Sequence, residues 1–416
     1  MTVVVGRSHS FTLSLRAYTI TLILSSALYF LRAPGVSIYI FDLIWFFGLA
    51  LFPRYFLRMP RANYLSLIAL SAATFLSVCY AGIDNRPIDP IQAVIILMRF
   101  IQMSICANFF YNCVRAGKLL PRNFLFPALF ALAIPLLGGL ALYLFFPGMA
   151  VVFNRYSGYL GNPNFLALYV VVSAPVFYVL MRFELMPRWS TLPITSIFFS
   201  TASYSLMLTG SNSGMLLFVF VTMIALLTTF LGRVLLILLV VVFLMFVLSL
   251  QNAILPWALD MMNSDFAGWR RTGNLMVVIL EGFDLDQLGS STYRDEVQVY
   301  LFEQQFSDFR RILVGLGPGQ SKHLTYFVDG LTVTIHNFYL LIFLEFGVLG
   351  TACFTAVSYF SFNRYQWGTT TLLIFSGFLV ASFGTPALYL PFFWVPLFAA
   401  LAGLTQTNVM NRMLSS

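Results

Sequence analysis

The sequence predicts an all-α polytopic membrane protein of about twelve transmembrane helices. Both termini are expected on the cytoplasmic side, with one large external segment between the ninth and tenth helices. Three observations predict it. Hydrophobic residues make up 60% of the 416 and charged residues only 9%, with a mean hydropathy of +0.87. A soluble domain carries roughly 45–50% apolar and about 25% charged residues, so water cannot be the main solvent of this chain. Apolar runs approaching the ~20 residues that a bilayer crossing takes recur along its length. The basic residues, finally, fall in alternate loops. A soluble enzyme and a singly anchored protein are excluded, and the net charge of +8 reads as an orientation signal with no nucleic-acid partner implied.

The apolar runs lie near 11–31, 37–53, 63–81, 91–113, 124–146, 165–182, 191–209, 214–231, 234–251, 337–360, 369–387 and 389–406. The first has no small-residue cleavage site and leads at once into another run, so it reads as a retained helix. One set of alternate segments holds Arg7, Arg54, Arg58, Arg61, Arg115, Lys118, Arg122, Arg182, Arg188, Arg233, Arg364 and Arg412 against a single acid, Glu184. The short loops on the other side hold Arg32, Arg86 and Arg155. By the positive-inside rule the first set is cytoplasmic. Within the spans, Arg99 lies where burial against an acid or a polar cavity is the default. Arg16 and Asp42 read as a structural ion pair. The four cysteines all sit in apolar runs without CxxC spacing and read as packing residues. Three histidines without an HExxH or paired-cysteine pattern imply no metal.

Three segments follow: helices 1–9 over residues 1–251, an external segment over 252–335, and helices 10–12 over 336–416. The external segment carries six basic and ten acidic residues, a local balance of −4. Segments that long inside a compact protein are usually functional or separately folded. Val299, Phe302, Phe306, Phe309 and Leu313 recur at steps of three and four, the stripe of one amphipathic helix over 293–313. That stripe is expected to rest on the membrane or on the helix bundle. Gly315–Gly319 (GLGPG) reads as a flexible turn. The segment then resembles a lid that returns His336 to the membrane surface.

His336 opens the tenth span, and an imidazole there can take a proton from a sugar hydroxyl, its ordinary pKa of about 6.5 lying near working pH. A histidine that merely anchors the helix is the other reading. Glu345, nine residues on, is costly in lipid and either faces a cavity or pairs with an arginine. Arg155, Arg270, Arg271 and Arg294 are external; guanidinium forks gathered in one place suit a diphosphate, whereas each alone reads first as a solvated or salt-bridged surface residue. There is no GxxxxGK[ST] loop, no GxGxxG after a strand and no GxSxG elbow, so ATP, dinucleotide and serine-hydrolase chemistry have no support.

Four pieces in order resemble the O-antigen ligase and O-antigen polymerase superfamily of bacterial envelope proteins. They are RYSGYLGNPNFLALYVVVSAP (155–175), TGSNSGMLLFVF (209–220), RRILVGLGPG (310–319) and IHNFYLLIFLEFGVLG (335–350). The resemblance covers roughly residues 150–360. It implies glycosyl transfer without metal or other cofactor on the periplasmic side of the bacterial inner membrane, from a glycan carried on undecaprenyl diphosphate. The acceptor is another lipid-linked repeat unit in the polymerases and lipid A-core in the ligases, and a chain-length regulator is an implied partner. The family's catalytic histidine corresponds to His336 with Asn337 beside it. Its substrate-binding arginine corresponds to Arg155, its NPN turn to Asn162, Pro163 and Asn164, and its glutamate–glycine pair to Glu345 and Gly347. An arginine of the large segment is best matched by Arg294, then Arg270. Where many members carry Ser-Arg-Ser/Gly, this chain has Ser211-Asn212-Ser213, and Lys322 or Arg271 could replace the missing charge. The expectation is a polymerase, with a ligase as the near alternative and a lipid-linked sugar transporter or flippase as the alternative of another class.

Overall fold

The computed structural model describes residues 2–28, 39–84, 89–152, 154–160, 162–182, 188–227, 254–281, 291–319, 327–328, 331–332, 337–365 and 390–415, together with 234, 237, 238 and 241. Among these the chain is all-α apart from a single turn of 3₁₀ helix, Gly158–Leu160, and two antiparallel hairpins of two-residue strands. In order come α1 (Thr2–Ser26), α2 (Ile40–Leu51), α3 (Pro53–Leu57), α4 (Arg61–Ile83), α5 (Pro90–Arg115), α6 (Arg122–Phe145) and α7 (Pro147–Ala150). The hairpin β1 (Val151–Val152) and β2 (Arg155–Tyr156) leads to α8 (Pro163–Arg182), α9 (Arg188–Thr209), α10 (Asn212–Leu227) and α11 (254–262). Then follow α12 (Ala267–Glu281), α13 (Ser291–Phe306), α14 (Phe309–Val314), the hairpin β3 (Phe327–Val328) and β4 (Leu331–Thr332), α15 (Phe338–Phe362) and α16 (Pro391–Ser415).

Four of these helices, α4, α5, α6 and α15, are long and apolar enough to cross a membrane. The expected crossings at 234–251 and 369–387 lie wholly or mostly outside the described residues. α4 displays the logic of a lipid-solvated helix. It turns Asn63, Ser66, Thr74, Ser77 and small alanines inward. Outward it presents Leu65, Ile68 and Phe75, each more than 60% exposed. In water that would be an inside-out helix; in lipid, where burial of apolar surface drives nothing, a seam of small and hydroxyl residues is what lets two helices approach. The seam packs against α15.

Two compact units divide the chain. The first holds Met1–Ala131, Arg294–Thr371 and Pro386–Ser416; the second holds Leu132–Tyr293 and Leu372–Thr385. The segment 252–335 is therefore shared, its earlier half belonging to the second unit and its later half to the first.

In the first unit α5 is central, packing on α3, α4, α15 and α16. Asp89 caps it, accepting from the Gln92 amide at 3.0 Å, and Pro90 occupies the first helical position, where its missing N–H costs nothing. Cys106 and Cys113 are fully buried on this helix as packing residues. Arg99 is buried against Asp42, with Nη2–Oδ2 at 3.0 Å, Gln102 bridging to the same carboxylate at 3.0 Å, and the Tyr39 ring 5.1 Å away. The partner expected for Asp42, Arg16, is exposed on α1. Gln102, one turn further along α5, accepts from Arg99 at 2.7 Å and donates to the same carboxylate, completing the site.

In the second unit α8 packs on α9 and α10, and α12 packs on α9.

Candidate functional site

Two polar clusters stand out, one in each unit, and each is built from two of the sequence pieces singled out above. In the second unit the cluster centres on Arg155. The β1–β2 hairpin turns through Asn154, whose φ of 54° is a conformation Asn tolerates better than most residues. This delivers Arg155 inward, where it is buried. Its Nε donates to the Thr209 carbonyl at 2.6 Å and its Nη2 to Asn164 Oδ1 at 3.1 Å.

Each letter of the NPN turn has a distinct task. Asn162 caps α8, its Oδ1 accepting from the amides of Asn164 at 2.9 Å and Phe165 at 3.4 Å. Pro163 takes the first helical position. Asn164, next along, is thereby free to turn its amide oxygen to Arg155. One guanidinium thus ties together the hairpin, the start of α8 and the loop that leaves α9 at Thr209.

That loop is also clamped from α12. Gly210 (φ +56°) lies so close to Gly268 that a Cβ on it would come within 2.9 Å of the Gly268 backbone, and within 3.2 Å of the Arg271 Cβ. Thr272 donates to the Met207 carbonyl at 3.0 Å. Arg270 and Arg271 are exposed at this end of α12. Arg271 therefore starts from beside the loop that follows Thr209, with Arg270 preceding it on α12. Asn212 has a buried Oδ1 with no hydrogen-bond partner among the described residues.

In the first unit the cluster centres on Glu345, which is fully buried in α15. Gln92 Nε2 donates to both carboxylate oxygens, at 3.3 and 3.4 Å. Two residues on, Gly347 has φ 65° and ψ −165°, and the helix kinks there. A kink of this kind opens the carbonyls of the preceding turn, which need other donors inside a membrane. Here three successive carbonyls find them. Phe343 accepts from Gln305 Nε2 at 3.3 Å, Leu344 from the Leu316 amide at 2.7 Å, and Glu345 from Ser77 Oγ at 2.7 Å and the Gly317 amide at 3.1 Å.

The Gly315–Gly319 turn is thus not a flexible hinge. It is buried and hydrogen-bonded into the broken helix. Glycine is required at both contacting positions: a Cβ on Gly315 would stand 2.3 Å from the Glu345 carbonyl oxygen, and one on Gly347 would stand 2.5 Å from that of Leu313. The single amphipathic helix expected over 293–313 is also two helices. Asp308 caps α14, its Oδ1 accepting from the Arg310 amide at 2.9 Å, and so breaks the run. The expected apolar stripe is exposed, with Val299 at 56% and Phe309 at 73%. The buried face instead carries Leu301 and Gln305, Leu301 joining a cluster with Leu316, Leu340, Leu341 and Leu344. Asp308 also accepts from the Tyr80 hydroxyl at 3.1 Å. The Arg310 amide, the Tyr80 hydroxyl and the neighbouring Arg310 and Arg311 charges hold its carboxyl below the usual carboxylate range.

Of the other residues the sequence pointed to, Asn337 caps α15, its Oδ1 accepting from the Leu340 amide at 3.1 Å. Arg294 lies on α13, its side chain outside the described residues, as are His336 and Lys322. Arg155, Asn164, Arg270 and Arg271 belong to the second unit; Asn337 and Glu345 belong to the first. Gln92, Ser77 and the Thr209 carbonyl were not foreseen. Gln92 had a signal, being a polar side chain seven residues before Arg99 on the same apolar run; a main-chain acceptor such as that of Thr209 has none. No family model matches the chain, and no curated protein matches it.

Proposed function

We propose that the chain is a bacterial envelope polysaccharide polymerase of the O-antigen type, joining repeat units carried on undecaprenyl diphosphate at the periplasmic face of the inner membrane. What supports the reading, beyond the resemblance in sequence, is that Arg155 holds Asn164 of the Asn162–Asn164 turn and the Thr209 carbonyl in one hydrogen-bonded cluster, beside Gly210, which packs against the Arg271 Cβ. Such a cluster suits an anion with several acceptor oxygens, because guanidinium is planar, permanently charged and offers paired donors. The proposal includes twelve crossings, cytoplasmic termini and an external 252–335 segment, resting on the asymmetry of basic residues.

In this mechanism the prenyl tail stays in lipid and arginines hold the diphosphate. The hydroxyl oxygen of the acceptor sugar attacks the anomeric carbon of the donor. The bond from that carbon to the diphosphate breaks, and prenyl diphosphate leaves with its negative charge held by the guanidiniums. His336 accepts the hydroxyl proton. Fixed positive charge at the departing group can lower the barrier by several kcal/mol, as removal of one oxyanion-hole donor costs about 3–4 kcal/mol elsewhere. Arg155 is assigned to the diphosphate, with Arg270 or Arg294 as the second cation. Asn164 and Asn337 position Arg155 and His336. Glu345 is assigned to holding the helix that follows His336.

His336→Ala is expected to abolish polymer formation in cells while the protein inserts at the normal level; a fully active alanine variant removes this role. Cells lacking the gene are expected to carry glycans of a single repeat on their acceptor. Long chains stranded on the prenyl carrier would instead indicate a ligase.

A further inference from the structure

We propose a second anion site, distinct from both clusters above: the arginine-lined cavity between α3 and the end of α5 binds the phosphate headgroup of an anionic phospholipid. The cavity is about 450 Å³ and is lined by Arg54, Tyr55, Arg58, Asn112, Arg115 and Ala116. Its volume falls within the range of pockets that hold small ligands, about 300–1,000 Å³. Half of its lining residues carry a guanidinium, and none is acidic. The sequence from 43 to 83 and from 90 to 183 contains no aspartate or glutamate, so α3, α5 itself and the loop after α5 supply no counter-charge; the acids nearest α5 in sequence, Asp84 and Asp89, precede its opposite end.

The cavity is built and held in place. Asn112 Nδ2 donates to the carbonyls of Tyr55 at 2.8 Å and Arg58 at 3.0 Å, fastening α3 to the last turn of α5. One turn earlier Asn108 Nδ2 donates to the Phe56 carbonyl at 2.6 Å. A fourth guanidinium meets the same stretch of α5. Arg364 donates to Asn108 and lies 5.5 Å over the Tyr111 ring, and its Nε and Nη2 are buried with no hydrogen-bond acceptor among the described residues. Three guanidiniums lining one cavity, with no carboxylate among the lining residues, make it receptive to phosphate oxygens.

The surroundings argue for a lipid as the bearer of that phosphate. The cavity lies at the end of a helix of membrane-crossing length, with Arg115 in its last turn. Leu51 (67% exposed) and Leu57 (46%) flank the arginines in sequence, and Leu120 (47%) follows the end of α5. Acyl chains would cover such residues, whereas a free anion would leave them bare. Basic pockets between membrane helices are known to take lipid headgroups in this way.

The experiment uses full-length protein, stripped of lipid in detergent and titrated separately with phosphatidylglycerol, phosphatidylethanolamine and inorganic phosphate, with binding read by native mass spectrometry. Phosphatidylglycerol is expected to bind preferentially and to be released by salt. At about 1 kcal/mol for each basic residue, Arg54→Gln, Arg58→Gln and Arg115→Gln should each weaken it roughly fivefold, and the three together on the order of a hundredfold. Arg16→Gln, an exposed arginine on α1, should leave it unchanged. The single variants carry the test if the triple variant does not remain monodisperse. Equal affinity for phosphatidylethanolamine, undiminished binding by the variants, or full competition by inorganic phosphate (a free-anion site) would each overturn the proposal.

Discussion

Replacing Gly347 by alanine tests whether the break in α15 and the Gly315–Gly319 turn form one interlocked device. At φ 65° and ψ −165° an alanine is in a region open essentially to glycine alone, at a cost of order 1–3 kcal/mol. Its Cβ would also meet the Leu313 carbonyl oxygen at 2.5 Å and the Gly315 nitrogen at 2.6 Å. Both are main-chain atoms, so no rotamer change relieves the overlap and the turn must lift. Lifting it separates the Leu316 amide from the Leu344 carbonyl and the Gly317 amide from that of Glu345. Each lost bond costs about 1 kcal/mol net, and more if the carbonyl is left dry. The expected sum is about 3–6 kcal/mol. Thermal unfolding in detergent should register it, and hydrogen exchange should show amides 315–317 losing protection. Gly148→Ala, with open space around its Cβ, is the control. Gly315→Ala attacks the same contact from the other side, so the double variant should cost less than the sum of the singles. Unchanged melting and unchanged protection in Gly347→Ala would refute the interlock.

Arg99→Met or Asp42→Asn alone strands a buried charge and should destabilise by about 3–5 kcal/mol, whereas both together should cost less; a double-mutant cycle by thermal unfolding checks this. For Arg155, alanine should abolish polymer formation and lysine should retain a small part of it, since lysine keeps the charge but cannot serve Thr209 and Asn164 at once. Equal loss from the two variants, measured by glycan sizing, would put the fork geometry above the charge. Because the folded-state value of Asp308 is depressed, its contribution to stability is complete above the ordinary carboxylate range near pH 4 and is lost as pH falls through the folded value. Asp308→Asn should flatten that acid limb in a melting-versus-pH series, and an unchanged limb would show that other carboxylates govern it.

Composition pointed to lipid as the solvent, because a chain with 9% charged residues has no aqueous way to be dispersed, and the recurring long apolar runs made the class helical. The caps were equally legible: Asp89-Pro90 and Asn162-Pro163 mark the starts of α5 and α8 by the ordinary chemistry of helix entry. Other features escaped for physical reasons. The pairing of Asp42 with Arg99 in place of Arg16 depends on which faces of α2 and α5 meet, and a lone ionisable residue does not encode its partner. The pattern at 293–313 was read as one stripe because period counting weighs Phe306 and Phe309 but not the capping power of Asp308 between them. The turn at Gly315–Gly319 looked flexible because glycine permits many conformations; that it is buried follows from the carbonyls opened by Gly347, thirty residues away.

We propose that this protein makes glycosidic bonds between lipid-linked units. Incubating the purified protein with synthetic undecaprenyl-diphosphate repeat units, with and without chelator, and sizing the products tests this most directly. A ladder of multiples of the repeat is expected, persisting in chelator and disappearing with His336→Ala. Unaltered single units, with the lipid-linked sugar moved across the bilayer and no new glycosidic bond formed, would contradict it.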